Sequence, residues 1–232
     1  MDVLVSSHPF GSDSLNGILG LDISYQVSSM TTKPFIWLIA LLIIIAGFTA
    51  VGPPEKSLGV NVRVVYLHGA WVWTSLIAFI AAGAVGLMGF VLRRPGLHTW
   101  SQAIGRTALL FWLTFLPLSM WAMQTNWNGL FLAEPRWRMG LSFAIAGILL
   151  QVGLTFLDRP SWTSIGNILF VSTMFFTLSG TENVMHPPAP IRDSQVVMIQ
   201  LYYTALLALT LAAAWQVARL WHRSDQIRVR ER

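Results

Sequence analysis

The sequence predicts an all-α polytopic membrane protein with six transmembrane helices and both termini in the cytoplasm. Two observations predict the class and a third predicts the orientation. Of the 232 residues, 54% are hydrophobic and only 11% charged, with a mean hydropathy of +0.59, where a soluble domain carries about 25% charged residues. The apolar residues gather in runs of membrane length, since a bilayer core of about 30 Å is crossed by roughly 20 mostly apolar residues. Such runs fall at roughly 35–52, 64–92, 103–123, 139–157, 163–181 and 196–218. The first is short and the second is long enough to tilt or to reach into the interface.

Orientation follows from Lys and Arg in the loops, because basic residues are retained on the cytoplasmic side. With the N-terminus inside, the inner face holds Lys33, Arg93, Arg94, Arg106, Arg159, Arg219, Arg223, Arg228, Arg230 and Arg232. The outer face holds only Lys56, Arg63, Arg136, Arg138 and Arg192. Loops 53–63, 124–138 and 182–195 then face outward, whereas "RRPGLHTWSQAIGR" and "DRPSW" face the cytoplasm. The chain divides into a polar N-terminal segment, 1–34, a six-helix domain, 35–218, and a basic cytoplasmic tail, 219–232. Residues 1–34 carry Asp2, Asp13 and Asp22 with Lys33 as their one base, so they lack the positive start of a signal peptide and 35–52 reads as a retained span. A weak helical pattern at 15–27 (Leu15, Ile18, Leu19, Ile23) is broken by Gly17 and Gly20.

Composition also excludes chemistry. The absence of cysteine rules out disulfides, thiolate metal sites, CxxC redox pairs and thioether attachment of a haem to this chain. The net charge of +5 is spread over several loops without a nucleic-acid motif, so nucleic acid is not an expected partner and the lipid membrane is. No nucleophile with a base, Walker loop or paired-carboxylate site is present, so the chain does not read as an enzyme.

In this orientation the histidines separate. His8, His98 and His222 fall on the cytoplasmic side, while His68, near the start of the second span, and His186, in "TENVMHPPAPIRD", fall on the outer one. An imidazole at a membrane edge needs a partner. The plain reading is a hydrogen-bonded interfacial histidine. The alternative is axial ligation of haem iron by two imidazoles between aromatic walls, with Arg63, Arg136, Arg138 and Arg192 available to the propionates. Tryptophans are enriched at both membrane interfaces, and Trp37, Trp100, Trp162, Trp215 and Trp221 fit that role. The outer stretch "MWAMQTNWNGLFLAEPRW" fits it less well, because it reads as a loop of about fifteen residues rich in Trp, Met, Leu and Phe rather than in turn formers.

These residues carry a resemblance. "VRVVYLHGAW" at 62–71 resembles the R-x-x-Y-x-H-x-x-x-W segment of the CcmC type of cytochrome c biogenesis protein, within the haem-handling superfamily that includes CcsA and CcmF. "NVMHPP" at 183–188 is similar to the Asn-x-x-His motif of that family's outer loop between spans five and six, and "WNGLFLAEPR" at 127–136 to its tryptophan-rich loop. The resemblance implies a haem b held non-covalently, with His68 and His186 as axial ligands and Trp121, Trp127 and Phe131 lining it. Glu134 falls where the family has Asp, and Arg136 where it has Arg. Leu130 and Ala133 replace two of the loop's rings, so ligation is carried over more fully than presentation of haem. The implied role is delivery of haem during cytochrome c maturation, from a multi-pass position in the plasma (inner) membrane to a periplasmic haem chaperone or other acceptor. An ABC-type haem-release ATPase would be a separate partner. A one-haem b-type redox subunit and a scaffold that has lost haem are the rival expectations.

Overall fold

In the computed structural model, residues 33–180, 191 and 195–230 are described, with side chains through 227. The helices run α1 Lys33–Ala50, α2 Val62–Val91, α3 Pro95–Trp127, α4 Pro135–Leu157, α5 Pro160–Ser179 and α6 Val197–Arg230. All six are long and apolar enough to cross a membrane. The chain is therefore an all-α multi-pass protein. The pattern at 15–27 lies outside the described residues.

Turn chemistry sets the helix boundaries. Proline opens α3, α4 and α5 as Pro95, Pro135 and Pro160, where its missing N–H costs nothing and its fixed φ suits the first turn. The ring forces the preceding residue out of the helical region, so Arg94 and Arg159 are extended. One residue earlier, Arg93 and Asp158 adopt φ of 51° and 47°, the left-handed conformation that ends the helix before. "RRP" and "DRP" thus build two tight hairpins at one end of the bundle, here the His98 end. Loops 51–61 and 128–134 lie at the opposite, His68 end.

Packing follows small residues. Gly83, Gly86 and Gly89 share one face of α2, and a Cβ there would lie 2.9 Å from Val171, 2.9 Å from Ser101 and 2.7 Å from His98 respectively. Apolar helices gain little by leaving lipid for one another, so close backbone approach and polar contacts hold them. Between α2, α3, α4 and α5 the contact is a polar knot. Asn167 Nδ2 donates to the Ser101 carbonyl (2.9 Å) and to its Oγ (3.1 Å), the Ser101 hydroxyl donates to the Ala82 carbonyl (2.8 Å), and Gln151 Nε2 reaches Asn167 Oδ1 at 3.4 Å. Thr74 and Thr210 join α2 to α6 at 2.7 Å. α1 is tied to α6, whose Tyr202 hydroxyl donates to the Phe48 carbonyl (2.8 Å) and whose Gln216 donates to the Pro34 carbonyl (2.9 Å).

Three sequence expectations need correction. "RRPGLHTWSQAIGR" is helical from Pro95 onward, and Arg106, counted above as a loop residue, sits inside α3 with its guanidinium 2.8 Å from Asp225 of α6. The loop expected in "MWAMQTNWNGLFLAEPRW" is also shorter than fifteen residues, because 120–127 finish α3 and α4 starts at Pro135. The polar residues there do not end the helix: Thr125 Oγ1 donates to the Trp121 carbonyl and Asn126 Nδ2 to the Ala122 carbonyl, inside their own helix. Finally, the basic segment after 218 continues α6 to Arg230, held by Trp100 stacking on His222 with centroids 4.0 Å apart and by the Arg106–Asp225 pair.

Candidate functional site

His68 lies six residues past Val62, which places it about 9 Å along α2 at 1.5 Å per residue. It is partly buried, and its ring faces Phe115 of α3 with centroids 6.0 Å apart at 49°. Phe115 in turn meets Trp112 edge-on at 4.6 Å. α4 closes over this pair at Gly140, where a Cβ would come within 2.7 Å of the Phe115 ring, and the Gly140 carbonyl accepts from Trp112 Nε1 at 2.9 Å. Only a residue without a side chain lets α4 approach so closely. Gly69, beside His68, faces Tyr203 of α6, and α3 runs on from Phe115 to Trp127, about 18 Å further at 1.5 Å per residue.

Residues three and four apart share a helix face, so Arg136 and Trp137 stand one turn above Gly140, on the side of α4 that meets Phe115. Arg136 Nε and Trp137 Nε1 are both buried, and neither has a hydrogen-bond acceptor among the described residues. Glu134 does not supply one. Its carboxylate accepts from the backbone N–H of Trp137 at 2.6 Å and caps α4, and the one ion pair among the described residues is Arg106–Asp225. Tyr66, also buried, has a hydroxyl with no partner among the described residues and a ring 5.3 Å from that of Tyr202.

The other expected residues scatter. Arg63 Nε donates to the Gly52 carbonyl at 2.9 Å and so fastens loop 51–61 to α2. In that loop the Ser57 hydroxyl, with the backbone N–H groups of Ser57 and Leu58, holds the Glu55 carboxyl below the usual carboxylate range. Trp121 is 53% exposed on α3, Trp127 is partly buried at its last residue, and Phe131 is exposed between Leu130 and Leu132. Arg138 is exposed. His186 and Arg192 lie outside the described residues. Trp71 is occupied within the bundle, its Nε1 donating to Thr114 Oγ1 at 2.8 Å and its ring stacked on Phe111 at 4.6 Å.

Sequence reasoning missed Phe115, Trp137 and Gly140. Phe115 and Gly140 are ordinary residues of apolar spans with no local mark, and Trp137 was readable only as one more outer tryptophan. The remaining described histidines lie at the other end: His98 Nδ1 shares a hydrogen bond with Ser164 Oγ at 2.8 Å, and His222 Nε2 with Gln226 at 3.0 Å.

Compared with known proteins, the chain matches no protein-family model and no curated protein sequence. The fold and its apolar surface define a multi-pass helical membrane protein.

Proposed function

We propose that this protein holds haem b non-covalently at the His68 end of the bundle, with His68 and His186 as axial ligands, and hands it as cargo to an extracytoplasmic acceptor during cytochrome c maturation. The observation that carries this reading is the setting of His68. It is partly buried with its ring facing Phe115, and the helix that packs on Phe115 carries in its first turn two buried donors, Arg136 Nε and Trp137 Nε1, that lack acceptors among the described residues. A flat, largely apolar ligand with carboxylates at its edge fits those residues. Haem would supply an iron that takes imidazole nitrogens. The "VRVVYLHGAW" and "NVMHPP" resemblance to the CcmC type adds to it.

The chain's own residues would orient the cargo: His68 would hold the iron, Phe115 would border the apolar part of the macrocycle, and the first turn of α4 would meet its polar edge. Release follows when an acceptor, such as a periplasmic haem chaperone, replaces one histidine. Energy for release, if required, would come from a separate ABC-type ATPase. The basic residues Lys33, Arg93, Arg94, Arg159, Arg219 and Arg223 at the His98 end support an N-in, C-in placement in the plasma (inner) membrane with the haem site outside.

Optical spectra of the purified protein, oxidised and reduced, test the reading beside His68→Ala and His186→Ala. A low-spin b-type spectrum that weakens or turns high-spin in each variant is expected. A colourless wild type that also takes up no added haem would sink the proposal in favour of a scaffold. Rapid reduction by quinol would favour a b-type redox subunit instead.

A further inference from the structure

A buried hydrogen-bond donor without an acceptor costs roughly 1–3 kcal/mol, and more when it carries charge, so native structures keep few of them and each calls for a cause. Two such donors on consecutive residues, Arg136 Nε and Trp137 Nε1, form an unusual concentration. Both belong to the first turn of α4, the turn above Gly140 and its contact with Phe115. The nearest carboxylate in the chain does not pair with Arg136: Glu134, two residues before it, accepts at Oε2 from the backbone N–H of Trp137. The other described arginines of this end differ. Arg63 is engaged by the Gly52 carbonyl, and Arg138 is exposed to its surroundings.

We infer that Arg136 and Trp137 form a carboxylate-binding subsite that reads an acidic edge of the ligand seated beside His68 and Phe115. The inference rests on the haem reading above and adds to it a source of selectivity: of the described arginines at this end, the subsite selects Arg136, and it adds an indole N–H that charge counting does not find. The guanidinium supplies charge and a directed donor, and the indole supplies a second, neutral donor. Together they prefer a ligand carrying free carboxylates over the same macrocycle with those groups capped. Trp137 and Arg136 are positioning residues here, since His68 remains the group that meets the iron.

The test compares two probes on the full-length protein in detergent, ferric protoporphyrin IX and its dimethyl ester, by optical titration with partition into empty micelles subtracted. The wild type is expected to prefer the diacid on the order of tenfold, the scale of a hydrogen bond to a charged group. Arg136→Gln should bring that ratio close to one, Trp137→Phe should lower it in part, and Arg136→Lys should keep a portion of it. Equal binding of acid and ester by the wild type overturns the subsite and leaves the haem reading standing. So does a full preference retained in Arg136→Gln. Binding of neither probe overturns both. The wild-type comparison depends on no variant, so it decides the matter even where a substitution impairs folding.

Discussion

The two ends of the bundle treat their polar side chains differently. At the His98 end they meet one another. Arg106 faces Asp225 through both carboxylate oxygens at 2.8 and 3.0 Å, His98 meets Ser164, Asn167 meets Ser101, and Trp100 is sandwiched between Trp215 and His222. His222 Nδ1 is the exception, with no well-aligned partner. At the His68 end the Tyr66 hydroxyl, Asn126 Oδ1, Arg136 Nε and Trp137 Nε1 are all buried without acceptors or donors among the described residues. Polar groups that satisfy each other hold helices together, while polar groups left over are arranged for something else. On the haem proposal, the contrast reads as stability at one end and recognition at the other.

Substitutions can break or sharpen that contrast. The largest expected effect belongs to Gly86→Leu, whose side chain would enter the space of Ser101 and Ser164 and push α2 from α3 and α5; overpacking of this kind costs roughly 3 kcal/mol. Denaturation in mixed micelles should show that loss, and an unchanged midpoint would mean that the His98 end is not the tight one. Next comes Arg106→Ala. It strands a mostly buried Asp225, at a cost of about 2 kcal/mol, below the full value for a deeply buried pair because each partner retains some exposure. Removing both charges should recover most of the loss, and any effect on haem affinity beyond the stability change would blur the division between the ends. Glu134→Ala removes the cap of α4 for about 1 kcal/mol, yet it should also lower haem affinity, because the same turn carries Arg136 and Trp137. A cap mutant that binds as the wild type does would separate α4's first turn from the site.

The smallest effect is a pH dependence of loop 51–61. The Glu55 carboxyl is held below the usual carboxylate range in the folded protein, chiefly through the Ser57 hydroxyl and the backbone N–H groups of Ser57 and Leu58. Its contribution is therefore present above the unfolded pKa and is lost as pH falls through the lower, folded value. Amide exchange at Ser57 and Leu58 should rise over that interval, and Glu55→Gln should remove the dependence. Exchange that is flat with pH in the wild type would show that the carboxylate does not organise the loop.

Much of the fold was legible in the sequence, because its causes are local. Hydropathy marks the spans, since every peptide group in lipid must be satisfied within its own helix. Pro95, Pro135 and Pro160 mark helix starts through a covalent constraint on φ. Where local signs competed, sequence reading failed: "TNWNG" looks like a turn, but Thr125 and Asn126 bond back into α3 and the helix runs to Trp127. His68 was legible as an imidazole out of place in an apolar run. Its ring neighbour Phe115 was not, since 47 residues of chain separate them and nothing about a phenylalanine in a span announces a facing histidine.

By itself, then, the sequence determined the class of the protein, the number of its spans and the histidines worth testing, because composition, periodicity and proline act over one helix at a time. The tertiary structure alone decided which of the charged residues are spoken for. Arg63 is taken by Gly52, Glu134 by the backbone of Trp137 and Arg106 by Asp225, while Arg136 Nε is buried beside Trp137 without an acceptor among the described residues. The physical reason is that hydrogen-bond satisfaction belongs to pairs of groups and depends on distance and direction in space, which the order of residues along a chain does not encode locally.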